Sequence, residues 1–372
     1  MKKNNFTFFI TDNYAEVYTI YPIIFDLRKK GCLIKIFIDK NLFFNEELLS
    51  KIIGAFKEIN CDLIFSKRIN QKQKRLFRII KEFVNFFSLI HLNRRNLFKN
   101  QTIFIENSFR TKVSLIVVIY SFFFKNTLFV YDHGSKFVFY VNKYKKKYLF
   151  INKNKIYHLL YSNIELTWIR NNGFNNLVKT GFPIIPNKIN KLISLSNEQD
   201  FFLICGRGIG NFISIDEYTY ILNTTIISLR KYFYDKKIIY YPHPKERSLT
   251  LCNSIINKYK NVEIADLKYP SIDYVSNSIG VISILSSAIF LASAFKKSVI
   301  EYYPFKNNLK KFYPELNNIS PYSKIGFPSA RNVSDLEKYI ESEFLEKPNK
   351  SSKDIIVFDD FNIDEIIKKV SD

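Results

Sequence analysis

The sequence predicts an α/β protein made of two Rossmann-like domains that face each other across a cleft. Three observations carry that expectation. Short runs rich in β-branched and aromatic residues alternate with longer helical stretches, the pattern of parallel strands joined by crossover helices. The alternation halts once, at Lys179-Thr180-Gly181-Phe182-Pro183-Ile184-Ile185-Pro186, where two prolines stop regular structure, and then restarts. A chain of 372 residues is also long enough for two domains at roughly 150 residues each.

In the first half, strands are expected at Phe6–Ile10, Leu33–Ile38, Leu63–Phe65, Thr102–Ile105 and Thr127–Tyr131, with helical stretches between them. The domain boundary falls after Pro186, giving domains 1–186 and 187–372, and the polar segment Asn187–Asp200 opens the second. Strands are then expected at Phe201–Cys205, Lys237–Tyr241, Val262–Ile264, Gly280–Leu285 and Ser298–Tyr302, and an amphipathic helix near Ile363–Val370 closes the chain. Gly206-Arg207-Gly208-Ile209-Gly210 directly follows the first strand of the second half, ahead of a helix starting near Ile215. With no N-terminal G-x-G-x-x-G the chain does not look like a dehydrogenase. The glycine cluster reads either as a flexible strand-to-helix turn or as a loop lining the cleft, with Arg207 available to a phosphate or carboxylate.

Composition excludes several classes. With 47% hydrophobic residues and 17% aromatics the chain has the material for cores and is not a disordered polymer. Four scattered cysteines, Cys32, Cys61, Cys205 and Cys252, form no C-x-x-C pair, so neither a zinc knuckle nor a disulfide framework is indicated, and a reducing cytoplasm fits best. The apolar runs Val113–Phe124 and Ile279–Phe295 do not read as membrane spans: the first is too short for the roughly 20 residues a span needs, and serines interrupt the second. Lys plus Arg number 56 against 34 Asp plus Glu, a formal charge of +22, which suggests an anionic partner. Abundant Lys, Asn, Ile, Phe and Tyr share AT-rich codons, however, and base composition accounts for part of that surplus.

Three short segments carry chemistry, each where an expected strand ends. Tyr131-Asp132-His133-Gly134-Ser135 offers a carboxylate and an imidazole beside a glycine, a general-base arrangement. Tyr241-Pro242-His243-Pro244 holds His243 between prolines that restrict the backbone and so fix the imidazole's direction, which suits a group that neutralises or protonates a leaving phosphate oxygen. Ser283-Ile284-Leu285-Ser286-Ser287 ends a strand and opens a helix, so amides and hydroxyls around Ser286 and Ser287 form an anion site.

The order acid-His-Gly, His-Pro, Ser-Ser resembles the bacterial sialyltransferases of the lipooligosaccharide and capsule-polysialyltransferase kind, whose motifs sit in a two-domain glycosyltransferase-B fold. The resemblance implies an inverting transfer of sialic acid from a cytidine-monophosphate (CMP) sialic acid donor to a glycan acceptor. By that resemblance Asp132 stands at the acidic base position, His243 and Pro244 match His-Pro, and Ser286 and Ser287 match the serine pair. Gly206, Arg207 and Gly208 join the nucleotide-sugar side, domain 1–186 carries acceptor and base, and domain 187–372 binds the donor. One departure stands out: the second acidic position is His133, and His-Gly is similar to the base motif of cytidine-diphosphate-glycerol glycerophosphotransferases, so the base is Asp132 or His133. Thr180-Gly181-Phe182-Pro183 is similar to a Gly-x-Pro found in both groups. No Asp-x-Asp occurs in the first domain and the histidines have no ligand spacing, so a metal-independent reaction without cofactor is expected.

A different class, nucleic-acid binding, draws on the basic segments Lys67–Lys81 and Lys136–Lys155, the latter holding seven lysines and no acid, interleaved with aromatics. No reader motif accompanies them, so nucleic acid is not the expected partner. A basic face near the acceptor, or peripheral contact with an anionic inner membrane, is the expected use of Lys136–Lys155. His91 and His158 read as structural; Glu106, Asp12 and Asn13 are minor cleft candidates.

Overall fold

A computed structural model describes residues 5–10, 14–38, 46–65, 101–106, 126–131, 156–161, 176–193, 200–209, 213–243, 249–305, 307–308, 319–324, 326–346 and 360–371; the structural statements that follow concern these. The chain divides into two compact units, residues 1–192 with 358–372, and residues 193–357.

The first unit is built on a seven-stranded parallel sheet in the order β3-β2-β1-β4-β5-β6-β7. Its strands are β1 (Asn5–Ile10), β2 (Leu33–Ile38), β3 (Asp62–Phe65), β4 (Thr102–Glu106), β5 (Thr127–Tyr131), β6 (Ile156–Leu160) and β7 (Leu177–Lys179). The central strands β1, β4 and β5 are buried almost throughout, which is why they read as continuous apolar runs and not as alternating ones. The five expected strands are present, and β6 and β7 are additional. Helix α1 (Tyr14–Lys29) is buried on all sides from Glu16 to Ile24, with Val17, Ile20, Tyr21, Ile23 and Ile24 among the covered residues and Leu27 one turn further on, the pattern of a helix enclosed within a domain. Arg28 near its end donates to the carbonyls of Ile59 (2.9 Å) and Cys32 (2.6 Å), tying α1 to the turns before β2 and β3. Helix α2 (Glu46–Glu58) covers the sheet with Leu48, Leu49, Ile52, Ala55 and Phe56.

The predicted break at Pro186 is the first residue of a short helix, α3 (Pro186–Ile189), a position where proline's missing N–H costs nothing. The C-terminal helix (Asp364–Ser371), expected at the end of the second domain, belongs to the first unit. The Asn362 N–H donates to the Thr180 carbonyl at 2.7 Å, and Lys30 pairs with Asp364 at 2.6 Å.

The second unit holds a six-stranded parallel sheet in the order β10-β9-β8-β11-β12-β13. The strands are β8 (Phe201–Cys205), β9 (Lys237–Tyr241), β10 (Val262–Ile264), β11 (Gly280–Ser283), β12 (Ser298–Tyr302) and β13 (Ser329–Ala330). Helices α4 (Ile215–Tyr232), α5 (Leu249–Ile256), α6 (Ser271–Asn277), α7 (Ala288–Ala294), α8 (Pro321–Lys324) and α9 (Val333–Tyr339) follow, with a π-helical turn Ile340–Glu346 after α9. A reciprocal cap of Ser214 with Glu217 starts α4, satisfying two backbone donors at once. Gly280 at the start of β11 lies against the Phe344 ring, which a Cβ there would approach to 2.8 Å.

Candidate functional site

Strand order locates the candidate site of the second unit. From β8 the chain proceeds to β9 and β10 on one side and to β11, β12 and β13 on the other. Such a reversal opens a crevice outside the carboxyl ends of the two strands that flank it, here β8 and β11. Parallel register lines up one row of residues near those ends: Tyr241, Cys205, Ser283, Glu301 and Ser329, on β9, β8, β11, β12 and β13 in turn. The loops carrying Arg207, His243 and the serine pair emerge just above this row.

Gly206 follows the row at Cys205. Its N–H donates to the Tyr241 carbonyl at 2.9 Å, and a Cβ at this position would run into the Tyr240 phenol. Tyr240 is fully buried and receives a hydrogen bond from the Tyr218 hydroxyl at 3.1 Å, so it cannot easily move aside. Gly206 is therefore required by packing. The partly buried Arg207 sends its guanidinium across to the loop after β11, where Nη1 donates to the Leu285 carbonyl at 2.9 Å. Gly208 is half-buried beside it, and Gly210 lies outside the described residues.

After β11 the chain makes a tight, internally bonded turn. Ser283 Oγ donates to the Ser286 carbonyl (3.0 Å) and accepts from the Ser286 N–H (3.3 Å), while Ser286 Oγ accepts from the Ala288 N–H (3.3 Å). The capping bond is thus made by Ser286, one residue before the position that adjoins α7; Ser287, at that position, is exposed and its hydroxyl makes no capping bond. Leu285, between Ser283 and Ser286, is buried with φ +46°, a left-handed conformation that a bulky side chain adopts only under constraint.

On the other side of β8, Tyr241 at the end of β9 donates its hydroxyl to the Tyr269 carbonyl at 3.2 Å. Pro242 is buried and His243 half-buried directly beyond the strand, while Pro244 lies outside the described residues. The structure thus brings Arg207, His243 and the Ser286–Ser287 turn to neighbouring strand ends.

The carboxylate of Glu301 was not anticipated. Its side chain is fully buried, and Oε2 accepts from Ser320 Oγ, from Ser329 Oγ at 2.8 Å and from Arg331 Nη2 at 2.7 Å. Oε1 has no hydrogen-bond partner among the described residues. Arg331 also donates to the Tyr303 carbonyl at 3.2 Å. A lone acid within the otherwise uncharged run Ser298–Tyr302 was the available sequence signal. Burial pushes the Cys205 thiol in the same row up to about 12, so it is a packing group there and not a nucleophile.

In the first unit, Asp132 and His133 come immediately after Tyr131, the last residue of β5, and themselves lie outside the described residues, as do Asp12, Asn13, His91 and the segments Lys67–Lys81 and Lys136–Lys155. The strand that leads to them is firmly held: Tyr131 is fully buried and donates its hydroxyl to the Phe9 carbonyl at 3.3 Å. Glu106, paired with Tyr131, is buried at the end of β4, and His158 is buried within β6. Among the described residues no group of three or more His, Cys, Asp or Glu could hold a metal ion, and no helix is long and apolar enough to cross a membrane.

No protein-family model and no curated protein sequence matches the chain. Solved structures do. The MnaA protein of S. aureus, in a structure with UDP, superposes with TM-score 0.65 at 10% identity, covering 99% of this chain and 96% of that one. A UDP-GlcNAc 2-epimerase from Methanocaldococcus jannaschii gives 0.63 at 14%, covering 99% of both. A glycosyltransferase from Rickettsia africae gives 0.55 at 13%, covering 99% of this chain and 97% of that one. At these identities the likeness establishes the fold: two parallel-sheet α/β domains of the glycosyltransferase-B type.

Proposed function

We propose that the chain is a nucleotide-sugar-dependent enzyme, and specifically an inverting transferase that moves sialic acid from CMP-sialic acid to a glycan hydroxyl. The observation that supports this reading is that Arg207, His243 and the Ser286–Ser287 turn follow the carboxyl ends of three adjacent strands, β8, β9 and β11, around the reversal of strand order. The motif order of the sequence supplies the donor. In the reaction, Asp132 or His133 takes the acceptor's hydroxyl proton as the bond from sugar to phosphate breaks, while His243 and the donors around Ser286 and Ser287 stabilise the departing phosphate. The first domain then carries the base and acceptor and the second the nucleotide sugar. Lys136–Lys155, directly after the base motif, would draw an anionic acceptor or an anionic inner-membrane surface toward the site.

A second reading has support of its own. Structures of the same fold from Neisseria meningitidis and Methanocaldococcus jannaschii hold UDP-GlcNAc, the latter also UDP, and bear the name UDP-GlcNAc 2-epimerase, which favours a UDP-sugar as ligand; a cytidine-diphosphate-glycerol donor is the third arm through His133. The test is to incubate the full chain separately with CMP-sialic acid, UDP-GlcNAc and CDP-glycerol, each with and without glycan acceptors, and to analyse the products. Acceptor-dependent release of CMP is expected. Epimerised UDP-GlcNAc, or CMP released from CDP-glycerol, would replace the proposed reaction with the corresponding alternative. His243→Ala and the alanine variant of whichever of Asp132 and His133 is the base are each expected to reduce turnover by roughly two orders of magnitude or more in a folded protein; full activity in His243→Ala would overturn the mechanism.

A further inference from the structure

The serine turn after β11 contains a conformation that needs an explanation. Leu285 is a buried, non-glycine residue at φ +46°, and such a residue persists only where its surroundings hold it. Below it, the turn is anchored through Ser283, whose hydroxyl closes on Ser286, and the Ile284 N–H donates to the Cys205 carbonyl on β8 at 3.0 Å. Above it, the Leu285 carbonyl accepts from Arg207 Nη1 at 2.9 Å. Arg207 itself starts from a fixed point, since Gly206 is bonded to Tyr241 and pressed against the Tyr240 phenol. We propose that Arg207 is a positioning residue: from the neighbouring strand its guanidinium clamps Leu285 in the left-handed conformation and so sets the Ser286–Ser287 turn in its working shape before any ligand arrives. The clamp spans the two strands that flank the reversal of strand order, so it fixes the width of the crevice mouth at the place where an anion would sit. A hydrogen bond from a charged donor is among the stronger ones available for this, and preforming the turn lowers the ordering cost of binding. The ligand part of the inference rests on the nucleotide-sugar reading above; the clamp does not.

Two measurements on the full chain separate these parts. In the ligand-free protein, Arg207→Ala is expected to speed amide hydrogen exchange across residues 284–290 by about tenfold or more, with exchange in the rest of the second unit unchanged. Arg207→Lys, which keeps a charged donor, should retain most of the protection. Arg207→Met, which keeps the aliphatic stem and no donor, gives the same reading should the alanine variant not fold. Titration with CMP should then show affinity falling in the order wild type, Arg207→Lys, Arg207→Ala, by about tenfold overall. Unchanged exchange over 284–290 in Arg207→Ala or Arg207→Met overturns the clamp. Loosened exchange with undiminished CMP affinity, in a protein whose wild type binds CMP, overturns its link to the site. A wild type that binds no CMP counts against the nucleotide reading while the exchange result still decides the clamp.

Discussion

Two rows of side chains, one across each sheet, do opposite jobs with the same register. In the first unit Ile36, Phe8, Phe104, Phe129 and Tyr157 line up across five parallel strands. Successive rings stack, at 4.4 Å for Phe8 with Phe104, 5.0 Å for Phe104 with Phe129 and 5.3 Å for Phe129 with Tyr157. In the second unit the row Tyr241, Cys205, Ser283, Glu301 and Ser329 lies next to the strand ends and buries a carboxylate between hydroxyls. The aromatic row stabilises through area removed from water and ring contacts, which are numerous, weak and adaptable. The polar row depends on a few bonds that must all be present, because a buried charge without its partner has no solvent to fall back on. One sheet is thus organised to be stable, and the other to hold loops in fixed positions at its edge.

The largest expected consequence concerns Glu301. Removing it leaves Arg331, which is 14% exposed at its side chain, without its carboxylate, takes the Glu301 acceptor from Ser320, and leaves Ser329 only the Phe327 carbonyl at 3.0 Å. Glu301→Ala should destabilise the second unit by about 3–5 kcal/mol, the scale for breaking a buried ion pair from one side. That is a large fraction of the roughly 5–15 kcal/mol of a whole domain. Replacing Glu301 and Arg331 together by apolar residues should cost much less than the sum of the single changes, and denaturant unfolding of the four proteins in a double-mutant cycle measures the difference. Additive effects would mean that the row is held by packing like its counterpart.

Alkaline pH distinguishes the two units next. Burial raises the Cys205 thiol to about 12 and the Tyr274, Tyr302 and Tyr303 phenols to about 12 in the second unit, and raises Tyr322 as well. In the first unit Cys61 reaches about 12, with Cys32 and Tyr21 also raised. For each group the folded protein keeps a proton that the unfolded chain releases. The contribution to stability is therefore intact below the unfolded value and is lost as pH rises toward the folded one. For Cys205 that window runs from 9.0 to about 12, at about 1.4 kcal/mol per pH unit. Among the described residues the second unit holds more such groups, so its described strands should lose hydrogen-exchange protection more steeply than those of the first unit between pH 9 and 12; equal slopes would contradict this.

Much of this arrangement was legible in the residues, and the part that was not has a common physical cause. Strands such as β2, β8, β9 and β12 were readable because an uncharged or nearly uncharged apolar run between polar stretches has few other ways to be buried. Strand β6 was not: it follows a lysine-rich stretch, has His158 at its centre, and owes its identity to pairing with β5 and β7, a context that propensity does not carry. At the site, the residue types at strand ends were visible locally, as with His243 between its prolines. The partners of Glu301 lie 19, 28 and 30 residues further along, and the reason for Gly206 is Tyr240, on the adjacent strand. Read locally, that glycine suggested a flexible or ligand-lining loop; only the packed sheet reveals that it makes room for a phenol. Non-local contacts of this kind decide how a site is held, whereas local chemistry indicates where one is.

The smallest expected effect lies in the aromatic row. Phe104 is fully buried between Phe8 and Phe129 and stacks on both, with a tilted contact to Phe6 at 6.0 Å, so Phe104→Leu removes two stacked ring contacts and one tilted one but keeps an apolar side chain. Volume-conserving apolar exchanges usually cost less than about 1.5 kcal/mol because neighbours readjust, but each lost aromatic pair is worth about 0.5–1.5 kcal/mol. Thermal and denaturant unfolding should therefore place Phe104→Leu about 1–3 kcal/mol below the wild type, the sum of two stacked pairs, a smaller loss than that of Glu301→Ala although Phe104 sits deeper between strand ends. If Phe104→Leu proves as damaging as Glu301→Ala, the first sheet depends on specific ring geometry as strictly as the second depends on its carboxylate, and the contrast between an adaptable and an exacting sheet fails.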